Sequence, residues 1–345
     1  MRTLLSPLLL PVAASALLTG CVPRAIIAYD VPAEISVPTD VRSLALVDRK
    51  GSDLSAAARL ALQEELQGGA RYSIAEPAAA QAALGRVQGT VGQPLSADAV
   101  AALRTAAGAD GVVAVDQLET VESWTYAERT ETRTHSETRV PSDCASCPAV
   151  STDVTEEVPV IDATVSVTVN VGYQLYGVNG AVVDAWTETV TDVLTGTAET
   201  QADARGKAGD PKSLASDLAA ATAFEAARHI APWSTSVDRK WYAAGGREVA
   251  AGAKLAKADD WKGAEKAWRQ GRKTAEGEAK GRVIYDLAVA AERRGDIATA
   301  LKLVKEAKTL LRNTKRADAY QAALRDRKRS AATLAAQMAP APEGE

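Results

Sequence analysis

The sequence predicts an α+β protein: an N-terminal α/β sandwich with long antiparallel hairpins, then an all-α domain of helical hairpins. Three patterns carry this expectation. Residues 41–115 alternate short apolar runs with segments of helical periodicity, residues 162–175 alternate apolar and polar without a break, and a helical segment recurs after 36 residues.

The elements follow in order. Pro23 to Pro38 is punctuated by proline and reads as an extended tether with a first short strand, spanning residues 21–40. Val41–Val47 is a compact apolar strand, and Asp53 is placed to cap a helix in which Leu54, Ala58, Ala61, Leu62 and Leu66 recur at helical spacing. Gly68-Gly69 ends that helix. Arg71–Ala75 is a second strand, Ala78–Leu84 a short helix, and Ser96 caps a third helix through Ala107. Val112–Val115 is a buried strand. Strands joined by helices require crossovers, so this part of the sheet is expected to be parallel.

The character then becomes antiparallel. Ala163, Val165, Val167, Val169, Val171, Tyr173 and Leu175 share one face, opposite Asp162, Thr164, Ser166, Thr168, Asn170, Gly172 and Gln174. Asn179-Gly180 predicts a type I′ hairpin turn, with a return strand through Trp186 to about Leu194. Glu128–Arg139 alternates with neither face apolar, which predicts a solvated β-arm; Val140–Val158 is expected as a loop across its end. This domain is placed at residues 41–235.

From Trp241 the pattern is helical. Residues 258–268 and 294–304 align with a period of 36, in a domain expected at 238–338; Lys315–Met338 is a final capping helix and 339–345 a disordered tail. Charge divides along the same line. Residues 239–330 hold 24 of the 40 Lys and Arg but only 12 of the 44 Asp and Glu. The acidic front half and the basic back half either attract each other or meet different partners, an acidic one for the back half.

Cysteine usage is compact. Cys144 and Cys147 form a CxxC pair between Pro141 and Pro148, and a disulfide pinning a loop tip is expected. A thioredoxin-like site would open a helix after a strand, and zinc would need a second pair of ligands. The two histidines, His135 and His229, do not make a hydrolytic triad, and the glycine-rich residues 85–92 lack the Lys-Ser/Thr of a phosphate loop. No catalytic residue, metal or cofactor is therefore assigned, and the chain is read as non-enzymatic.

Arg2, the apolar run Leu4–Leu18 and the tetrad Leu18-Thr19-Gly20-Cys21 resemble a bacterial lipoprotein signal peptide with its lipobox. That resemblance implies removal of residues 1–20 and lipidation of Cys21, which anchors the chain with two or three acyl chains. Val22 stands where inner-membrane lipoproteins carry Asp, which implies an outer-membrane address facing the periplasm.

The element order, with Ala-Gly-Ala-Asp-Gly-Val-Val-Ala-Val at residues 107–115, resembles TolB N-terminal and CsgG-like lipoproteins across residues 40–232. The back domain resembles tetratricopeptide repeats: Gly252 and Ala288, Ala264 and Ala300, Trp268 and Val304, and Gly271 and Ala307 occupy corresponding positions. Glu248 departs from that family's pattern. Together these resemblances imply an adaptor binding an envelope protein or acidic peptide, with Trp261, Trp268, Lys302, Lys305 and Lys308 as partner-binding residues. The alternative they imply is a CsgG-like homo-oligomer in export or assembly, whose pore form would use the 163–194 hairpin. Nucleic acid is not an expected partner.

Overall fold

A computed structural model describes residues 23–87, 90–139 and 150–340. It has mixed α+β content, a sheet region with long strands followed by an all-helical region. The chain divides into two units: one made of Val31–Trp233 with the chain from Thr333 onward, the other of the chain up to Asp30 with Ser234–Ala332.

The sheet unit is built on β2 (Ser43–Asp48), β3 (Ser73–Ile74), β4 (Gly111–Arg139), β5 (Val150–Tyr176) and β6 (Val182–Ala198), in the order β3-β2-β4-β5-β6. β3 and β4 pair parallel with β2, whereas β4, β5 and β6 pair antiparallel. The parallel part is fed by α1 (Asp53–Gln67), α2 (Pro77–Leu84) and α3 (Ala97–Ala107). Ser96 caps α3 as its position predicts, but the cap of α1 is Ser52, one residue before the expected Asp53. Asp110 of the resemblance motif is structural: its carboxylate takes the amides of Arg42 and Ser43 at 3.0 and 2.9 Å and so ties β2 to β4.

Helices cover both faces at this end. After β6 come α4 (Gln201–Ala208) and α5 (Pro211–Ile230), and Leu62 and Leu66 of α1 with Ala219 and Ala223 of α5 pack on the face carrying Leu44, Leu46, Val113 and Val115. Ala80 of α2 and Val100 and Leu103 of α3 pack on the face carrying Ala45, Val47, Val112 and Ala114. The unbroken Val face of β5 belongs to the α1/α5 core, and Tyr173 shares a 2.8 Å hydrogen bond with Thr222 of α5. The apolar side that a transmembrane strand would turn to lipid is therefore occupied within the chain.

Three local expectations need correction. Residues 150–158 are not loop: β4 runs unbroken to Arg139 and pairs with β5 from the Arg139–Val150 register onward, giving a two-stranded arm about 40 Å long at 3.3 Å per residue. Cys144 and Cys147 lie outside the described residues. The hairpin at Asn179-Gly180 is not type I′, because Asn179 does not have positive φ. Gly180 N–H bonds the carbonyl of Gly177, so Val178 and Asn179 are the central residues and Gly180, at φ 78°, takes the left-handed position after them. Finally, residues 24–31 are wholly strand, more than a tether with a short strand in it. They form β1 (Arg24–Val31), which pairs with β7 (Trp233–Lys240), and Ala25 and Ile27 are buried in the core of the helical unit.

The helical unit adds α6 (Arg247–Lys257), α7 (Trp261–Thr274), α8 (Gly277–Arg293), α9 (Ile297–Lys308) and the start of α10 (Lys315–Met338). Its first residues come from β1 and β7, earlier than the expected boundary at 238. Among the described residues no helix is long and apolar enough to cross a membrane. Cys21 falls outside the described residues.

Candidate partner-binding surface

The repeat exists in three dimensions. The turn between α6 and α7 is reproduced 36 residues later between α8 and α9: Asp260 N–H reaches Leu255 O as Asp296 N–H reaches Ala291 O, and Trp261 N–H reaches Asp259 O as Ile297 N–H reaches Gly295 O. Asp260 and Asp296 cap the second helices by accepting from Gly263 and Thr299. The turn needs left-handed backbone, supplied by Gly295 at φ 81° and by Asp259 at φ 58°.

Close packing of each helix pair follows from small residues. A Cβ on Gly252 would stand 2.2 Å from the Trp268 indole nitrogen, and one on Gly271 would stand 2.7 Å from Glu248 Cβ. Glu248, the position that departs from the family pattern, thus packs its methylene stem against a glycine. Trp268 is fully buried, donates to the carbonyl of Val249 at 3.2 Å, and meets the rings of Trp241 and Trp261 at 6.0 and 6.2 Å. It cannot touch a partner, which corrects its assignment as a binding residue. Trp261 is half-buried, edge-on to Trp241 and 5.0 Å under the Arg293 guanidinium.

The lysines of α9 also separate. Lys308 is held by Asp318 at 2.5 Å and Gln321 at 2.9 Å, so it serves the packing of α10 rather than a partner. Lys302 and Lys305 remain exposed. A cavity of this unit lies elsewhere, 430 Å³ lined by Arg269, Arg272 and Lys273 of α7, Lys280 of α8 and Glu306 of α9. Glu306 is bonded to Arg272 at 2.6 Å and Arg269 to Glu265 at 2.5 Å, so Lys273 and Lys280 carry the uncompensated positive charge of the lining. Nothing in the order of residues joins Lys280 to the cations of α7; two helices assemble the four cations, and a third, α9, supplies Glu306. The available signal is the spacing of Arg269, Arg272 and Lys273 on the side of α7 away from buried Ala264, Trp268 and Gly271.

Behind this surface, buried charges fix the helices. Glu292 is fully buried and takes Arg239 of β7 at 3.0 Å together with Arg327 of α10. Asp286 is also fully buried, accepting Tyr242 N–H at 2.8 Å; burial raises its carboxyl pKa well above the ordinary range.

The sheet unit holds two further constellations. Arg49 and Asp116 form a buried pair at 2.5 Å where the β4 ladder shifts register between Val115 and Gln117. His229 bonds Asp184 at 2.7 Å and Glu34 at 2.8 Å through its two ring nitrogens, and stacks 4.6 Å from Trp186. Burial opposes its charge, but the two carboxylates outweigh it and the pKa is raised. Neither constellation has a nucleophile beside the base, and among the described residues no group of three or more His, Cys, Asp or Glu is placed to hold a metal ion.

Residues 38–242 match the family model described as Domain of unknown function (DUF8603), and residues 250–326 match Domain of unknown function (DUF6340). Among curated proteins there is no match. Two solved structures are similar: the PelC dodecamer from Paraburkholderia phytofirmans, 15% identical over 60% of this chain and 99% of that one, and a variant of it, 17% identical over 59% and 96%. Both superpose with a TM-score of 0.23, a level that transfers nothing to this chain.

Proposed function

The chain belongs to the DUF8603 family, a domain of unknown function, and for this member we propose a non-enzymatic, lipid-anchored periplasmic adaptor whose helical repeat holds an acidic segment of an envelope protein. The observation that carries this reading is the cationic cavity of α7, α8 and α9, where Lys273 and Lys280 flank the Arg272–Glu306 pair. With Arg269 and Arg272 already paired to Glu265 and Glu306, the two lysines supply the charge that attracts a carboxylate. The duplicated helix pair, tetratricopeptide-like in period and small-residue positions, supplies the rigid frame. Cys21 supplies the anchor and Val22 the outer-membrane address.

Titration of the full-length chain with a fluorescent Asp/Glu-rich peptide tests the binding step. Saturable binding that weakens with salt and is lost in Lys273→Glu/Lys280→Glu, at unchanged melting temperature, is the expected result. Equal binding by the double variant contradicts it. The anchor has its own test in the mass of the mature chain. The expected N-terminus is acylated Cys21, and an unmodified N-terminus contradicts it.

A further inference from the structure

From β6 we infer a second docking site: its outer edge accepts an extended, basic segment of a partner protein as an added strand. β6 is the last strand of the sheet and is paired on one side only. It runs for 17 residues, with no proline and no Lys or Arg from Val182 to Ala198. The opposite edge, β3, is two residues long. Long edges are ordinarily blunted by lysine, proline or bulges, and the β5–β6 ladder shifts register only beside the hairpin, at Leu175/Tyr176.

The phase of the edge is set by Val193, whose N–H bonds the Asp192 carboxylate at 2.8 Å instead of a β5 carbonyl. In an antiparallel ladder the outward-facing amides recur every second residue, so those of Thr187, Thr189, Thr191 and Thr195 face outward as well. These threonines are exposed and uncharged, with side chains on the face away from α5. The other face of the same strand carries Asp184, Glu188 and Asp192 at four-residue spacing.

Charge decides the occupant. Asp184 is bonded to His229, while no cation is bonded to Glu188 or Asp192 among the described residues. A second β6 brought alongside would set acids near acids, which disfavours self-pairing. A strand carrying Lys or Arg on alternate-face positions gains the main-chain ladder and places its cations beside Glu188 and Asp192. Backbone bonds then supply affinity and the carboxylates supply selection.

The probe is a capped ten-residue peptide of alternating Thr and Val with Lys at every fourth position, titrated calorimetrically onto the full-length chain; a Glu-for-Lys peptide is the comparison. The Lys peptide is expected to bind saturably and the Glu peptide not. Thr187→Pro removes one outward N–H without touching the β5 ladder, and it is expected to weaken binding by about tenfold or more, whereas Thr187→Ala does not. Asp192→Lys, an exposed charge reversal that leaves the backbone intact, is expected to shift preference toward the Glu peptide. Equal binding of the two peptides by the wild-type chain overturns the inference, as does Thr187→Pro binding the Lys peptide as well as Thr187→Ala does. Sedimentation showing a dimer that Thr187→Pro dissolves, with no peptide bound, overturns it in favour of a second copy.

Discussion

Replacing Gly252 by alanine isolates the contact on which the helical repeat rests. The added Cβ would lie 2.2 Å from Nε1, 2.4 Å from Cδ1 and 2.5 Å from Cε2 of Trp268, where carbon contacts normally sit at about 3.5–4.0 Å. The indole is rigid and fully buried, so either α6 and α7 separate by more than about 1 Å or Trp268 leaves its rotamer and its bond to Val249 O. Overpacking of this kind costs about 1–3 kcal/mol and the lost bond about 1 kcal/mol more. Alanine recovers about 1 kcal/mol of helix propensity over glycine. The expected net loss is about 1–3 kcal/mol, read from the midpoint of urea unfolding. In a Trp268→Leu background the same substitution is expected to be neutral or mildly stabilising, because the ring it strikes is gone. A Gly252→Ala chain as stable as wild type would refute the close α6–α7 approach.

Gly295→Val forces a β-branched residue into left-handed backbone and is expected to cost about 1–2 kcal/mol, whereas Asp259→Gly in the equivalent turn is neutral or stabilising; thermal melts of the two variants check the pair. Arg49→Met leaves the buried Asp116 carboxylate without its cation, with an expected loss of about 3–5 kcal/mol in chemical denaturation. His229 has a pKa raised above its ordinary 6.5, so its contribution is complete below that value and disappears as pH rises through the higher folded value. Wild type is therefore expected to lose stability above about pH 6.5, and His229→Gln to flatten that dependence in melts across pH 6–9.

Legibility in the sequence followed the range of the interactions. The Ser96 cap, the Asp260 and Asp296 turns and the bounds of α10 depend on residues a few positions apart, and they stand where spacing places them. The β5 apolar face is equally plain because seven side chains alternate in one strand. β1 was legible only as a short strand in a tether, and its packing was opaque because Ala25 and Ile27 become a core only against Trp241 and the helices beyond it. The arm of β4 and β5 carries polar residues on both sides, so periodicity reveals its strands but not where they end.

Site residues divide the same way. Trp268 has the look of an aromatic anchor, yet its partner is Gly252, sixteen residues earlier on the facing helix. Lys308 shares its spacing with Lys302 and Lys305 but lies toward α10, where Asp318 claims it. The cationic cavity needs Arg272, Lys280 and Glu306 from three helices, and no local pattern joins them.

In-cell crosslinking of the full-length chain, with the captured species weighed and identified, tests the adaptor account most directly. The account predicts one discrete protein of different sequence, lost when Lys273 and Lys280 are both changed to Glu. A ladder of identical subunits, or a capture indifferent to those two charges, would contradict it.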